Sequence, residues 1–98
     1  MKTKKKFIVA IDQGTTSSRA ILFNTSGKSL FKSQLEFRQY FPKNGWVEHN
    51  PEEIWSTTKK VLNHVIKKAN QIKGKILTIG ITNQRETTVL WDKVSGKP

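Results

Sequence analysis

The sequence predicts an α/β fold, a mixed sheet crossed by one helix in the order β-β-β-α-β-β. Three observations carry that prediction. An apolar run rich in β-branched residues, Phe7 to Ile11, stops at Asp12 and a turn of glycine, threonine and serine. A second such run, Ile76 to Thr82, stops at the polar segment Asn83-Gln84-Arg85-Glu86. Between them lies an amphipathic stretch with a complete helix-start signature, and a strand, helix, strand order places its two strands parallel in one sheet.

The elements follow in chain order. Phe7 to Ile11 suits a strand buried on both faces. Arg19 to Phe23 reads as the second strand, and the turn formers of Asn24-Thr25-Ser26-Gly27-Lys28 lead to a third from Ser29 to about Phe37, so the first three strands form an antiparallel meander. A loop from Arg38 to Asn50 then reaches the best-specified element. Asn50 stands at N-cap, Pro51 at N1 and Glu53 at N3, which satisfies free N–H groups, fixes the first φ and sets acids at the positive helix end. Ile54, Thr58, Val61, Leu62, Val65 and Ala69 form the buried stripe, while Lys59, Lys60, Asn63, Lys67 and Asn70 face water. Trp46 and Trp55, beside the helix start, read as packing groups. Gly74 ends the helical pattern, Ile76 to Thr82 is a buried strand, and Thr87 to Asp92 reads as a further strand before the Ser95-Gly96 turn.

Composition excludes several classes. The 98 residues make one small domain at most, with 35% hydrophobic and 26% charged residues, as in globular chains. No apolar run approaches the ~20 residues a membrane helix needs, and the apolar stretch after the basic start is too short for a signal peptide, so the expected location is the cytoplasm with no membrane partner. Cysteine is absent, which removes disulfides and thiolate chemistry. His49 and His64 are too isolated in sequence to form a metal cluster. The net charge of +11 raises the question of nucleic acid. Four of the lysines fall in residues 1–6, read as a flexible basic tail, and Lys59, Lys60, Lys67 and Lys68 give the helix its wet face. A solvated tail and face is therefore favoured over a nucleic-acid surface. Asn24-Thr25-Ser26 matches a glycosylation sequon irrelevant in the cytoplasm, and Gly27-Lys28-Ser29 lacks the earlier glycine of a Walker loop.

If the two apolar strands are parallel, their carboxyl ends emerge on one edge of the sheet and border one crevice. On one wall, Asp12 is a carboxylate best satisfied by water, a metal ion or a ligand, and Gly14 permits a tight reversal. Thr15, Thr16, Ser17 and Ser18 add hydroxyls beside unclaimed backbone N–H groups, and Arg19 adds a planar cation. That set suits phosphate with a hydrated magnesium ion, although the same residues also suit an ordinary hairpin turn. On the other wall, Arg85 offers donors and Glu86 acceptors, which together can hold the vicinal hydroxyls of a polyol. An isolated surface ion pair would use the same two residues.

The motifs "IDQGTTSSRA", "GWVEHNPEEIW" and "GITNQRETTVLWD" together resemble the amino-terminal part of the FGGY carbohydrate kinases, over Phe7 to Pro98. The first motif alone would indicate only the wider group of actin-like ATPases, and the other two favour the glycerol-phosphorylating branch. The resemblance implies a ribonuclease H-like ATPase fold and magnesium-dependent transfer of the γ-phosphate of ATP to a terminal hydroxyl of glycerol, giving glycerol 3-phosphate. It implies that Thr15, Thr16 and Ser17 belong to the nucleotide and phosphate loop, that Arg19 contacts the nucleotide, that Asp12 lies near the metal, and that Arg85 and Glu86 grip glycerol.

Family members are several times longer, and the resemblance places the adenine pocket, the carboxylate general base and further glycerol contacts in a second domain outside these 98 residues. The chain is thus expected to be a partial N-terminal ATPase-like domain, without catalytic residues of its own and without turnover alone. Two alternatives stand beside this reading. One is a ribonuclease H-like nuclease or nucleic-acid-binding domain, which the acid after the first strand and the basic surface would suit. The other is a noncatalytic remnant or half of a split kinase that associates with a complementary half or with itself.

Overall fold

The structure, a computed structural model, describes residues 5–98. Five elements form in the order β1 (Lys5–Gln13), β2 (Ser17–Asn24), β3 (Ser29–Glu36), α1 (Pro51–Gln71) and β4 (Gly74–Asn83). The mixed α/β fold is as expected. β1 pairs antiparallel with β2 and β2 with β3, while β4 lies parallel to β1, giving the sheet order β3-β2-β1-β4. The meander and the helical crossover are therefore both present.

The period of two along β1 decides what is buried. Phe7, Val9 and Ile11 join Ala20 and Leu22 of β2 and Val61, Val65 and Ala69 of α1 in one core. Their neighbours Ile8, Ala10, Ile21 and Phe23 point to the other face and are only half-buried. The expectation that β1 is buried on both faces thus holds for one face, because α1 covers one side of the sheet and no described element covers the other.

Helix α1 starts where its signature puts it. The Asn50 side chain accepts from the Glu52 N–H at 2.9 Å, with Pro51 in the first turn. Glu53 does not close a reciprocal capping box, since its Oε1 accepts from the Tyr40 hydroxyl at 3.1 Å and so ties the preceding loop to the helix. At the other end Lys73, with φ 57°, takes the left-handed turn. Gly74 does not end the helix. It opens β4, where a Cβ would collide with the Phe7 ring, so the absence of a side chain lets β4 approach β1.

Four further expectations are corrected. Lys5 and Lys6 belong to β1 and not to a basic tail, residues 1–4 lying outside those described. β4 is an exposed edge strand, with Leu77, Ile79 and Ile81 accessible, and an apolar run alone does not say whether anything packs on it. Thr87 to Asp92 forms no strand, because among the described residues it pairs with no neighbouring strand, and Leu90 is 82% exposed. Trp46 and Trp55 are 52% and 58% exposed; Lys43 and Lys59 lie over their rings at 4.8 and 5.3 Å. These indoles are partly covered by cations instead of by core.

Candidate functional site

β1 and β4 run side by side to their last residues. Asp12 pairs with Thr82 and Gln13 with Asn83, so both strands release their chains on one edge. Beyond that edge opens a cleft of about 680 Å³, lined on one wall by Thr15 and on the other by Gln84, Arg85 and Glu86, with Gln39 and His49 behind. The parallel register thus brings Thr15, Arg85 and Glu86 together.

The first wall is a hairpin turn. Gly14 N–H donates to the Ser17 carbonyl at 2.9 Å, and a Cβ on Gly14 would sit 3.3 Å from that oxygen. Thr15 and Thr16 are exposed at its tip, and among the described residues neither amide has a backbone partner. Ser17 begins β2, where its hydroxyl accepts from Gln34 at 2.8 Å. Ser18 faces the other way. It is fully buried, bonded to the hydroxyls of Thr57 at 2.9 Å and Thr58 at 3.2 Å, and so is a core group and not a ligand donor.

Asp12 and Arg19 face each other across β1 and β2 as register partners and form an ion pair on the face away from α1, each about one-third exposed. They do not line the cleft with Thr15. Arg19 Nε is buried without a partner, which leaves one donor of the guanidinium unanswered beside the carboxylate. Among the described residues no cluster of three or more acid or histidine side chains could hold a metal by itself. Magnesium keeps several waters and takes one or two carboxylates with substrate phosphates, so Asp12 fits such an ion only when a phosphate completes the shell.

On the second wall Glu86 adopts φ 47°. A non-glycine residue in this region carries strain of about 1–3 kcal/mol, sustained by its surroundings and concentrated at functional sites. Both Arg85 and Glu86 are exposed, with room for a ligand between them and Thr15.

A polar lattice connects the walls, and sequence reasoning missed it. Gln39 Nε2 donates to the Thr15 carbonyl at 3.0 Å, while its Oε1 meets His49 Nε2 at 2.7 Å. Gln84 Nε2 lies 3.5 Å from His49 Nδ1 and 3.3 Å from Gln13 Oε1. An amide oxygen only accepts, so His49 Nε2 carries the proton and Nδ1 is left to accept from Gln84. The Phe37 ring meets the imidazole edge-on at 5.0 Å between centroids. These residues lie 10 to 71 positions apart in sequence, and no spacing rule connects them.

Residues 7–98 match the FGGY family of carbohydrate kinases, N-terminal domain. The chain belongs to this family. Among its relatives, a glycerol kinase of Aeromonas hydrophila is 54% identical over 98 residues, covering all of this chain and 20% of that protein. A glycerol kinase of Alkaliphilus metalliredigens is 57% identical over 94 residues, 96% of this chain and 19% of that protein. Among solved structures, Plasmodium falciparum glycerol kinase with ADP superimposes on the whole chain with a TM-score of 0.88 at 33% identity, over 20% of its own length. Rhodospirillum rubrum xylulose kinase does so over 89% of this chain and 18% of its own, with a TM-score of 0.82 at 25% identity. The chain therefore spans about a fifth of the relatives it matches. The ribonuclease H-like, actin-like ATPase fold expected from the FGGY resemblance agrees with these neighbours. No described helix is long and apolar enough to cross a membrane.

Proposed function

We propose that this chain forms part of the substrate cleft of a glycerol kinase, an enzyme that transfers the γ-phosphate of ATP to a terminal hydroxyl of glycerol. The observation that carries this reading is the parallel register of β1 and β4, which sets Thr15 opposite Arg85 and Glu86. Thr15 and Thr16 offer hydroxyls and backbone N–H groups to the phosphate tail, Ser17 supports the turn, and Arg19, ion-paired with Asp12, would meet the nucleotide from outside the cleft lining. Asp12 would take a water-ligated magnesium ion once phosphate is present, and the ion would neutralise charge on that tail. Arg85 donates to one glycerol hydroxyl and Glu86 accepts from its neighbour, fixing the polyol for in-line attack. Phosphoryl transfer depends on this kind of positioning and charge stabilisation.

Among the described residues Glu86 is assigned to holding glycerol, and both it and Arg85 are open to water, whereas the resemblance puts the carboxylate general base in a second domain. Turnover accordingly requires residues beyond this chain. The exposed apolar side chains of Ile81, Leu90, Trp91 and Val94 favour association with such a complementary portion. Family membership supports the cytoplasmic kinase reading over the nuclease alternative.

Two assays test the proposal. The purified chain should show no turnover of magnesium-ATP and glycerol. Glycerol should shift the amide signals of Arg85 and Glu86, whereas propane-1,3-diol, which lacks a vicinal hydroxyl pair, should not at equal concentration. Turnover by the chain alone would overturn the first statement, and equal responses to the two alcohols the second.

A further inference from the structure

We propose that His49 is a positioning residue that holds the two walls of the cleft in register through its neutral, Nε2-protonated ring. Its importance for catalysis rests on the kinase reading, but the linkage itself does not. The ring stands where the loop before α1 passes behind both strand ends. Through Gln39 it reaches the Thr15 carbonyl, and its other nitrogen meets Gln84, the residue preceding Arg85, which in turn reaches Gln13. The buried Phe37 ring fixes its orientation from below. A second tie fastens the same wall, since Phe37 N–H donates to the Thr16 carbonyl at 3.2 Å. The bonds on the Thr15 side are short, at 2.7 and 3.0 Å, and those at Gln84 are long, at 3.5 and 3.3 Å. The Gln84 joint is thus the yielding one, and His49 adds to the β1–β4 pairing and the Gln84–Gln13 bond a side-chain route from the Arg85 wall to Thr15.

The ring can serve both sides only when neutral. It then offers one donor and one acceptor, whereas the imidazolium offers two donors and meets the Gln84 Nε2 donor head-on. The charged and titratable groups that line the cleft with it are Glu48 beside it in the chain and Arg85 and Glu86 across the cleft; Arg38 and Glu53 lie against Tyr40, further along the same loop.

The test needs no ligand, so its failure is separable from failure of the kinase reading. The full chain carrying His64→Gln, in which one imidazole remains, is titrated with acid while ring and amide nitrogen signals are followed. The expected result is an Nε2–H tautomer for the neutral ring, with the Thr16 and Arg85 amides both shifting together with the His49 ring signals as acid is added. Adding His49→Phe, which keeps the contact with Phe37, should abolish both shifts, and His49→Gln, with one donor and one acceptor, should restore the neutral-pH positions without the titration. If His49→Phe does not fold, the titration of the histidine-bearing chain and the glutamine variant still decide. Movement of one wall without the other, an Nδ1–H tautomer, or shifts that persist in His49→Phe would overturn the proposal.

Discussion

Asp12 of β1 and Thr82 of β4 are direct register partners in a parallel pair. Everything the cleft can do follows from that pairing, because it delivers a hydroxyl-bearing turn and an Arg-Glu pair to one edge from segments some 70 residues apart. A slip of one residue would turn Asp12 toward the helix side and exchange the two faces of the strand.

Replacing Asp12 by Asn removes a partly exposed ion pair, so it should lower stability by about 0–1 kcal/mol. The larger effect should be loss of the magnesium-dependent part of the nucleotide response. Chemical denaturation reads the first quantity, and amide shifts with ADP in the presence and absence of magnesium read the second.

Ser18→Ala should have the opposite profile. Its buried hydroxyl bonds Thr57 and Thr58, and these threonines keep their own bonds to the Glu53 and Ile54 carbonyls. Loss of about 0.5–1.5 kcal/mol is expected in denaturant melts, with nucleotide response intact. A loss of nucleotide response at unchanged stability would return Ser18 to the ligand.

The end of α1 can be improved. Lys73→Gly places the residue that prefers the left-handed region where φ is already 57°, and should raise stability by about 0.5–1 kcal/mol. Gly74→Ala, one position on, should cost more than it gains anywhere else, because the new methyl collides with Phe7 in the core. Thermal melts of the two variants should move in opposite directions.

The turn from Asp92 to Lys97 has a pH signature. Hydrogen bonds from the Ser95 and Val94 backbone N–H groups hold the Asp92 carboxyl below its ordinary value of 3.8. A carboxyl whose folded value is depressed stabilises the folded turn above the unfolded value, and that contribution fades as pH falls through the folded one. The Val94 and Ser95 amide signals should therefore keep their positions down to the ordinary carboxyl value of 3.8 and move toward random-coil values only below it. Asp92→Asn should remove the acid transition.

Much of this architecture was legible in the letters. The β-branched run ending at Asp12, the Asn50-Pro51 helix start and the strand, helix, strand order each rest on local rules, and each appears where those rules put it. What failed was what packing alone decides. Ile76 to Thr82 has the composition of a buried strand yet lies at an open edge, and Thr87 to Asp92 has that of a strand yet pairs with nothing described. That Thr15, Arg85 and Glu86 line one cleft could be foreseen, because parallel strands release their chains on one edge. Gln39, His49 and Gln84 could not, since their roles exist only once the loop before α1 folds back behind both ends. Ser18 was misjudged for a related reason, as the alternation along β2 turns it to the core while Arg19 goes to the opposite face.

The central claim is that one cleft serves both ligands, and a single sample can test it. Magnesium-ADP and glycerol are titrated into the labelled chain, each alone and then together, and the amide signals are followed. The account predicts that the nucleotide moves Thr15 to Ser17, that glycerol moves Arg85 and Glu86, and that each ligand alters the response to the other. Nucleotide shifts confined to the outer lysines of α1, with Arg85 and Glu86 silent at saturating glycerol, would contradict it.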